Sequence, residues 1–201
     1  MVTQQFTSKM KINEIFYSVQ GEGYHSGTAA TFIRFSGCNL RCPFCDTKHE
    51  DGEFMTELQV IDKVSQNPAK MVVVTGGEPS LHLTPTLVDS LHKIGKYVAV
   101  ETNGTHLLPE NVDFITLSPK FEFCFNAKVV AQKYNELKVV YNGANDMALY
   151  DNIRADYYFI QPCDTGNEQQ NKKIIYSCVE FVKNNPKWRI SLQTQKILNV
   201  L

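Results

Sequence analysis

Short apolar runs return along the chain at intervals filled by helix-type patterning, and this alternation is the strongest limit on the fold. Ala29 to Phe35, Met71 to Thr75, Tyr97 to Glu101, Phe114 to Ser118, Leu137 to Tyr141, Tyr157 to Gln161 and Arg189 to Gln193 are rich in valine, isoleucine and aromatic residues. Such runs read as buried strands. Lys11 to Val19 adds an extended segment at the start. Between the runs lie helix signals. Thr56 and Gln59 form a capping box ahead of Leu58, Val60, Ile61 and Val64. Thr84 and Pro85 open a second helix that carries Leu87, Val88, Leu91 and Ile94 and stops at Gly95. A third helix is predicted near residues 146–152. A fourth, over about 167–183, buries Ile174, Ile175, Cys178, Val179 and Val182. Strands alternating with helices imply a parallel sheet with right-handed crossovers.

The 201 residues fit one domain spanning the whole chain. That length is short for a full (β/α)8 barrel. The expectation is therefore an α/β fold, a partial, open TIM-like barrel of about six parallel strands, with a doubly wound open sheet as the alternative. A net charge of −1 gives no sign of nucleic-acid binding. Met1 to Lys11 is polar, and no stretch reaches transmembrane length, so no membrane partner is expected and a cytoplasmic location is the default. Reducing conditions there suit free thiols.

Three of the six cysteines fall in Cys38-Asn-Leu-Arg-Cys42-Pro-Phe-Cys45. Thiolates are soft ligands suited to iron–sulfur clusters, zinc or cuprous ion. Three of them on one loop can hold three irons of a cubane and leave the fourth open. A structural Cys3His zinc site completed by His49 is the rival reading. Cys124 and Cys178 read as buried small apolar residues and Cys163 as a spacer. In a barrel of parallel strands, chemistry collects at the carboxyl ends. Here Thr75-Gly76-Gly77-Glu78, Glu101, Ser118-Pro119-Lys120 and Gln161-Pro162-Cys163-Asp164 all stand at such ends. Arg34, within an otherwise apolar run, reads as an ion-paired residue or as a guanidinium fork for a carboxylate.

The cysteine spacing, with Phe44 before the last cysteine, resembles the radical S-adenosylmethionine (SAM) superfamily, and Gly76-Gly77-Glu78-Pro79 looks like its SAM-amine motif. More narrowly, the chain resembles the 7-carboxy-7-deazaguanine synthase family. The shared pieces are Val19 to Gly23, Phe32 to Thr47, Thr75 to Pro79, Glu101 to Gly104, Ser118 to Lys120, Glu136 to Val140, Gln161 to Asp164 and Leu192 to Asn199. The resemblance implies conversion of 6-carboxy-5,6,7,8-tetrahydropterin to 7-carboxy-7-deazaguanine with loss of ammonia. It implies a [4Fe–4S] cluster on Cys38, Cys42 and Cys45, SAM, and Mg2+ at Thr47. Phe44, Gly77, Glu78, Ser118, Pro119, Lys120, Gln161, Pro162, Cys163 and Asp164 are then expected to hold SAM. Val19, Gln20, Gly21, Arg34, Thr75, Glu101 and Leu201 are expected to hold the pterin, with Arg34 and Glu101 closest to the chemistry. A homodimer and an external electron donor are further implications. Gln195 stands where the family pattern often has histidine, and an amide cannot titrate. A glycyl-radical activase would share the cysteines and the Gly-Gly-Glu-Pro turn but not the other motifs. A zinc-binding module without catalysis would explain the cysteines alone.

Overall fold

The computed structural model describes residues 9–45, 47–130 and 132–200. Leu201, expected at the pterin site, lies outside them. The strands are β1 (Lys9–Val19), β2 (Ala29–Phe35), β3 (Glu53–Thr56), β4 (Met71–Gly76), β5 (Tyr97–Thr102), β6 (Phe114–Leu117), β7 (Tyr134–Tyr141), β8 (Ala155–Pro162) and β9 (Trp188–Ile190). They form one sheet in the order β3-β1-β2-β4-β5-β6-β7-β8-β9. From β2 through β9 every pairing along this order is parallel. β1 pairs antiparallel with both β2 and β3. The sheet ends in edges at β3 and β9, so the barrel is open, as the strand count predicts.

Side chains alternate across a strand, so each strand feeds two faces. Helices α1 (Glu57–Ser65) and α2 (Pro85–Lys93) cover one face at β2, β4 and β5, where Ile33, Val72, Val74, Val98 and Val100 meet Val60, Val64, Leu87 and Leu91. Helix α3 (Glu168–Asn184) covers the same face further on, setting Ile174 and Cys178 against Leu137, Val139 and Ile160. The other face carries a smaller cluster of Ala30, Phe32, Met71, Val73, Ala99 and Phe114. Beyond that cluster this second face becomes polar, and the cavity described below lies there.

Both predicted caps form. Thr56 and Gln59 satisfy each other's backbone in a capping box, and the Thr84 side chain accepts from the Leu87 amide. Leu58 departs from expectation and is exposed, because the buried edge of α1 uses Glu57 instead. The Glu57 carboxylate accepts from Ser90 Oγ at 2.6 Å and Thr86 Oγ1 at 3.2 Å, which ties α1 to α2. On α3, Ile175 and Val179 face outward rather than inward. The predicted helix near 146–152 is a single 3-10 turn, Met147–Tyr150, capped by Asp146. Strand β3 and the short helix α4 (Thr194–Leu198) are additions.

Two packing features aim the site. The turn after β4 lies directly on the turn after β2: Gly77 N donates to Phe35 O and Glu78 N donates to Gly37 O, each at 2.9 Å. The β1–β2 hairpin loop, residues 20–28, reaches across to the far strands. Thr194 Oγ1 donates to Gly21 O at 2.8 Å, Gly23 N to Ser191 Oγ at 2.9 Å, and Tyr24 N to Glu136 Oε2 at 2.7 Å. The loop thereby bridges the second face from β1 to β7 and to the segment after β9.

A Cβ at residue 77 would sit 1.8 Å from the Gly37 carbonyl oxygen, a backbone atom that cannot swing aside. Gly77→Ala is expected to lose about 1–3 kcal/mol of stability, typical of overpacking. Urea unfolding checks this, and an unchanged midpoint would mean the two turns are not in contact.

Candidate active site

The loop that follows β2 carries the three cysteines, and its start is pinned by the β4 turn just described. Within it, Leu40 N donates to Cys38 Sγ at 3.4 Å, and Cys45 N donates to Cys42 O at 3.2 Å. All three are free thiols; Cys38 and Cys42 are half-buried and Cys45 is exposed. Burial raises the Cys38 pKa, and burial with the neighbouring Cys124 pushes Cys42 up to about 12 despite the Lys120 charge nearby. Metal binding must displace these protons, so loading is expected to release them. Cys124 is not the buried filler expected of it: it is half-buried, with its Sγ 3.7 Å from that of Cys42. Cys178 is fully buried, as expected.

Among the described residues, no three His, Cys, Asp or Glu side chains converge on a single-ion site. Cys38, Cys42, Cys45 and His49 are therefore not gathered round one zinc. A cubane demands less convergence, since each thiolate meets a different iron. Soft thiolates along one wall of a cavity fit such a cluster.

That cavity has a volume of about 560 Å³. Nearly all the residues singled out by sequence line it: Cys38, Cys42, Cys45, Phe44 and Thr47 on the loop; Val19, Gln20 and Gly21 on the hairpin; Arg34, Thr75, Gly77, Glu78 and Glu101 on the central strands and their ends; and Ser118, Lys120 and Gln161 to Asp164 on the later ones. Among the described residues Pro119 is the exception: it is buried between Ser118 and Lys120 and does not line the cavity.

The polar groups fall into three sets. Glu78, 1% exposed, is held by its own chain: Oε1 accepts from Thr102 Oγ1 at 2.6 Å and Ser80 N at 3.0 Å, and Oε2 accepts from Asn103 N at 2.8 Å. This buried carboxylate welds the β4 turn to the end of β5. Near it, Lys120 Nζ donates to Ser118 O and Ser118 Oγ, both at 2.6 Å, and burial lowers its pKa. Asp164 is held ionised by Lys196 at 2.9 Å, Gly166 N and Asn171, well below the usual carboxylate range.

Arg34 forms the second set. Its Nε donates to Glu14 Oε1 at 2.7 Å and its Nη1 to Thr47 Oγ1 at 3.2 Å, while the guanidinium lies 5.7 Å from the Phe16 ring. The ion-pair reading of Arg34 holds, and the residue also lines the cavity.

The third set lies between the hairpin loop and β5 and β7, and sequence reasoning missed most of it. Lys138 Nζ, on a side chain 3% exposed, donates to Glu22 Oε2 at 2.6 Å and to Glu101 Oε2 at 3.3 Å. Gln20 Nε2 donates to Glu101 Oε1 at 2.9 Å. Gln193 and Gln195 donate to Glu22 Oε1 at 2.9 and 3.1 Å. Burial alone would raise the Glu22 pKa, but the Lys138 charge and these hydrogen bonds overcome it and leave it at about 2. Burial would lower Lys138, and Glu101, Glu22 and Glu136 hold it well above the usual range instead. Glu136 is itself raised by burial. The signal was available: in Glu136-Leu137-Lys138, a period of two sends both charges to the same face of a buried parallel strand.

The comparisons with known proteins come to the same place. Residues 32–142 match the family model described as the radical SAM superfamily. A Bacteroides thetaiotaomicron protein named 7-carboxy-7-deazaguanine synthase is 50% identical over 190 residues, covering 94% of this chain and 98% of its own length. The chain belongs to the 7-carboxy-7-deazaguanine synthase family. Another member of that synthase family, from Burkholderia multivorans, is 38% identical over 212 residues, with 94% and 98% covered. The crystal structure of the Escherichia coli protein called QueE superposes with a TM-score of 0.74 at 28% identity, covering 92% of this chain and 93% of that one. The radical SAM superfamily fits the three-thiol wall, because its members bind a [4Fe–4S] cluster and SAM.

Glu22 gives a pH test. Its pKa is lowered from an ordinary 4.5 to about 2, so the stability it contributes is complete above pH 4.5 and is lost as pH falls towards 2. Urea unfolding of the wild type is expected to weaken more steeply across that window than that of Glu22→Gln. Equal slopes would show that Glu22 is not held by Lys138.

Proposed function

We propose that this chain converts 6-carboxy-5,6,7,8-tetrahydropterin to 7-carboxy-7-deazaguanine with loss of ammonia, in 7-deazapurine biosynthesis. The observation that carries the reading is the single cavity in which three free thiols, a guanidinium and an ion-paired carboxylate floor face one another. A thiol wall alone would suit many radical enzymes; the polar floor suits a small heterocyclic acid. The near full-length identity to relatives of that name supports the same choice over a glycyl-radical activase.

Cys38, Cys42 and Cys45 would hold the cluster, and Gly77, Glu78, Ser118, Lys120 and the Gln161 to Asp164 turn would hold SAM. When bound, these groups supply the one-electron chemistry that starts the reaction. The chain's own residues bind and orient. Gly76 and Gly77 line the cavity beside the thiols, and Phe44, edge-on to Phe123 with ring centroids 4.5 Å apart, would offer an aromatic face to an adenine. Arg34 would pair with the substrate carboxylate. Glu101 and the hairpin residues Val19, Gln20 and Gly21 would accept from and enclose the pterin ring, with Thr75 beside Arg34 in the parallel register. Thr47 lines the same cavity, and its Oγ1, which accepts from Arg34 Nη1, is a hard oxygen of the kind Mg2+ takes. An external reductant and a homodimer complete the reading. The reaction is placed in the cytoplasm, whose reducing conditions suit the free thiols; no helix of the described residues is long and apolar enough to cross a membrane.

The test is anaerobic loading with iron and sulfide, followed by reduction and addition of SAM, Mg2+ and the carboxytetrahydropterin. The deazaguanine product is expected by mass spectrometry. Cys42→Ser is expected to lose iron, sulfide and product together, whereas Cys124→Ser retains its iron and sulfide because three thiolates suffice. SAM cleavage without the product would contradict the substrate. Cluster loss in Cys124→Ser would contradict the ligand set.

A further inference from the structure

We propose that Lys138 is a positioning residue that clamps Glu22 and Glu101 into one fixed hydrogen-bond-accepting edge for the N–H groups of the substrate ring. This deepens the reading above and rests on it.

The geometry is specific. One ammonium, almost wholly buried, reaches the inner oxygen of a carboxylate from the hairpin loop at 2.6 Å and of another from β5 at 3.3 Å. The second oxygen of each carboxylate is steered by amides, Gln20 on Glu101 and Gln193 with Gln195 on Glu22. An ionised carboxylate only accepts hydrogen bonds, and each oxygen can take more than one. The amide Oε1 of Gln195 is buried against Gly21 and is not offered to the cavity, so the two carboxylates alone form the accepting edge. A reduced pterin presents ring N–H and amino donors, so the two carboxylates, which can only accept, match it. The same edge is mismatched to a ring that presents acceptors.

The charged groups facing Lys138 come from four places: Glu22 on the hairpin loop, Glu101 on β5, Glu136 on its own strand, and Lys120 after β6. Lys120 is engaged by Ser118, so it cannot replace the ammonium in contact. Without Lys138, three carboxylates share one low-dielectric face. Like charges so placed resist joint ionisation, and one of them takes up a proton nearer neutrality. The protonated group becomes a donor and opposes the substrate's own donors.

The experiment compares the loaded wild type with Lys138→Gln and with Lys138→Gln/Glu22→Gln, reading kcat and KM for the carboxytetrahydropterin across pH 6 to 9. For Lys138→Gln, the acid limb of kcat/KM is expected to move up by about one pH unit or more, carried mainly by KM, as for a carboxylate relieved of its cation. Removing the Glu22 charge as well is expected to return that limb to its wild-type position. The double variant restores the charge balance, so it keeps the test decisive if the single variant does not fold. A uniform loss of kcat/KM at every pH, or a limb that stays displaced in the double variant, would overturn the proposal. A wild type that cleaves SAM but leaves the pterin untouched would overturn the functional reading first, and this inference with it.

Discussion

Strand β7 sends an acid and a base, Glu136 and Lys138, onto the inner face of a parallel sheet, and neither can be left there alone. An unpaired charge in such a place would cost several kcal/mol. The sheet supplies one partner, Glu101 on β5, which meets Lys138. The others come from the β1–β2 hairpin loop, whose Tyr24 amide meets Glu136 and whose Glu22 meets Lys138. The loop is therefore drawn across the second face. It bridges strands that the open barrel leaves apart, and the space it encloses is the cavity.

A second buried charge works at the opposite wall. Glu78 accepts three hydrogen bonds from Ser80, Thr102 and Asn103, and so fixes the turn in which Gly76 and Gly77 approach the backbone around Gly37. The first cysteine follows directly. The position of the thiol wall thus depends on a carboxylate that is itself unavailable to a ligand except at the remaining lone pairs, while the floor depends on an ammonium whose side chain is only 3% exposed. Binding groups placed on the sheet and its strand ends are held more rigidly than a loop could hold them.

Much of this was legible in the sequence for a physical reason. Buried parallel strands such as Met71 to Thr75 are near-continuous β-branched runs, and caps such as Thr84-Pro85 mark helix starts locally. Strand β3 was not legible, because Glu53 to Thr56 is mostly exposed and becomes a strand only by pairing with β1, far away in the chain. Helix α4 has no side-chain cap to announce it. The motif residues of the site were visible because turns and cysteines are local signals. The clamp was half visible: alternation in Glu136-Leu137-Lys138 puts both charges on one face, but Glu22 stands 116 residues from Lys138 and nothing local joins them. Cys124 was misread for the same cause, its neighbour Cys42 being 82 residues away.

The chemistry depends on whether the thiol wall holds a cubane with one iron open to the cavity. The most direct measurement is the electron paramagnetic resonance spectrum of the iron- and sulfide-loaded, reduced protein before and after SAM is added. One reduced cubane whose g-values shift when SAM is added is the expected result, because a ligand then occupies the iron that no cysteine holds. A cubane spectrum indifferent to SAM, or zinc bound without acid-labile sulfide, would contradict it.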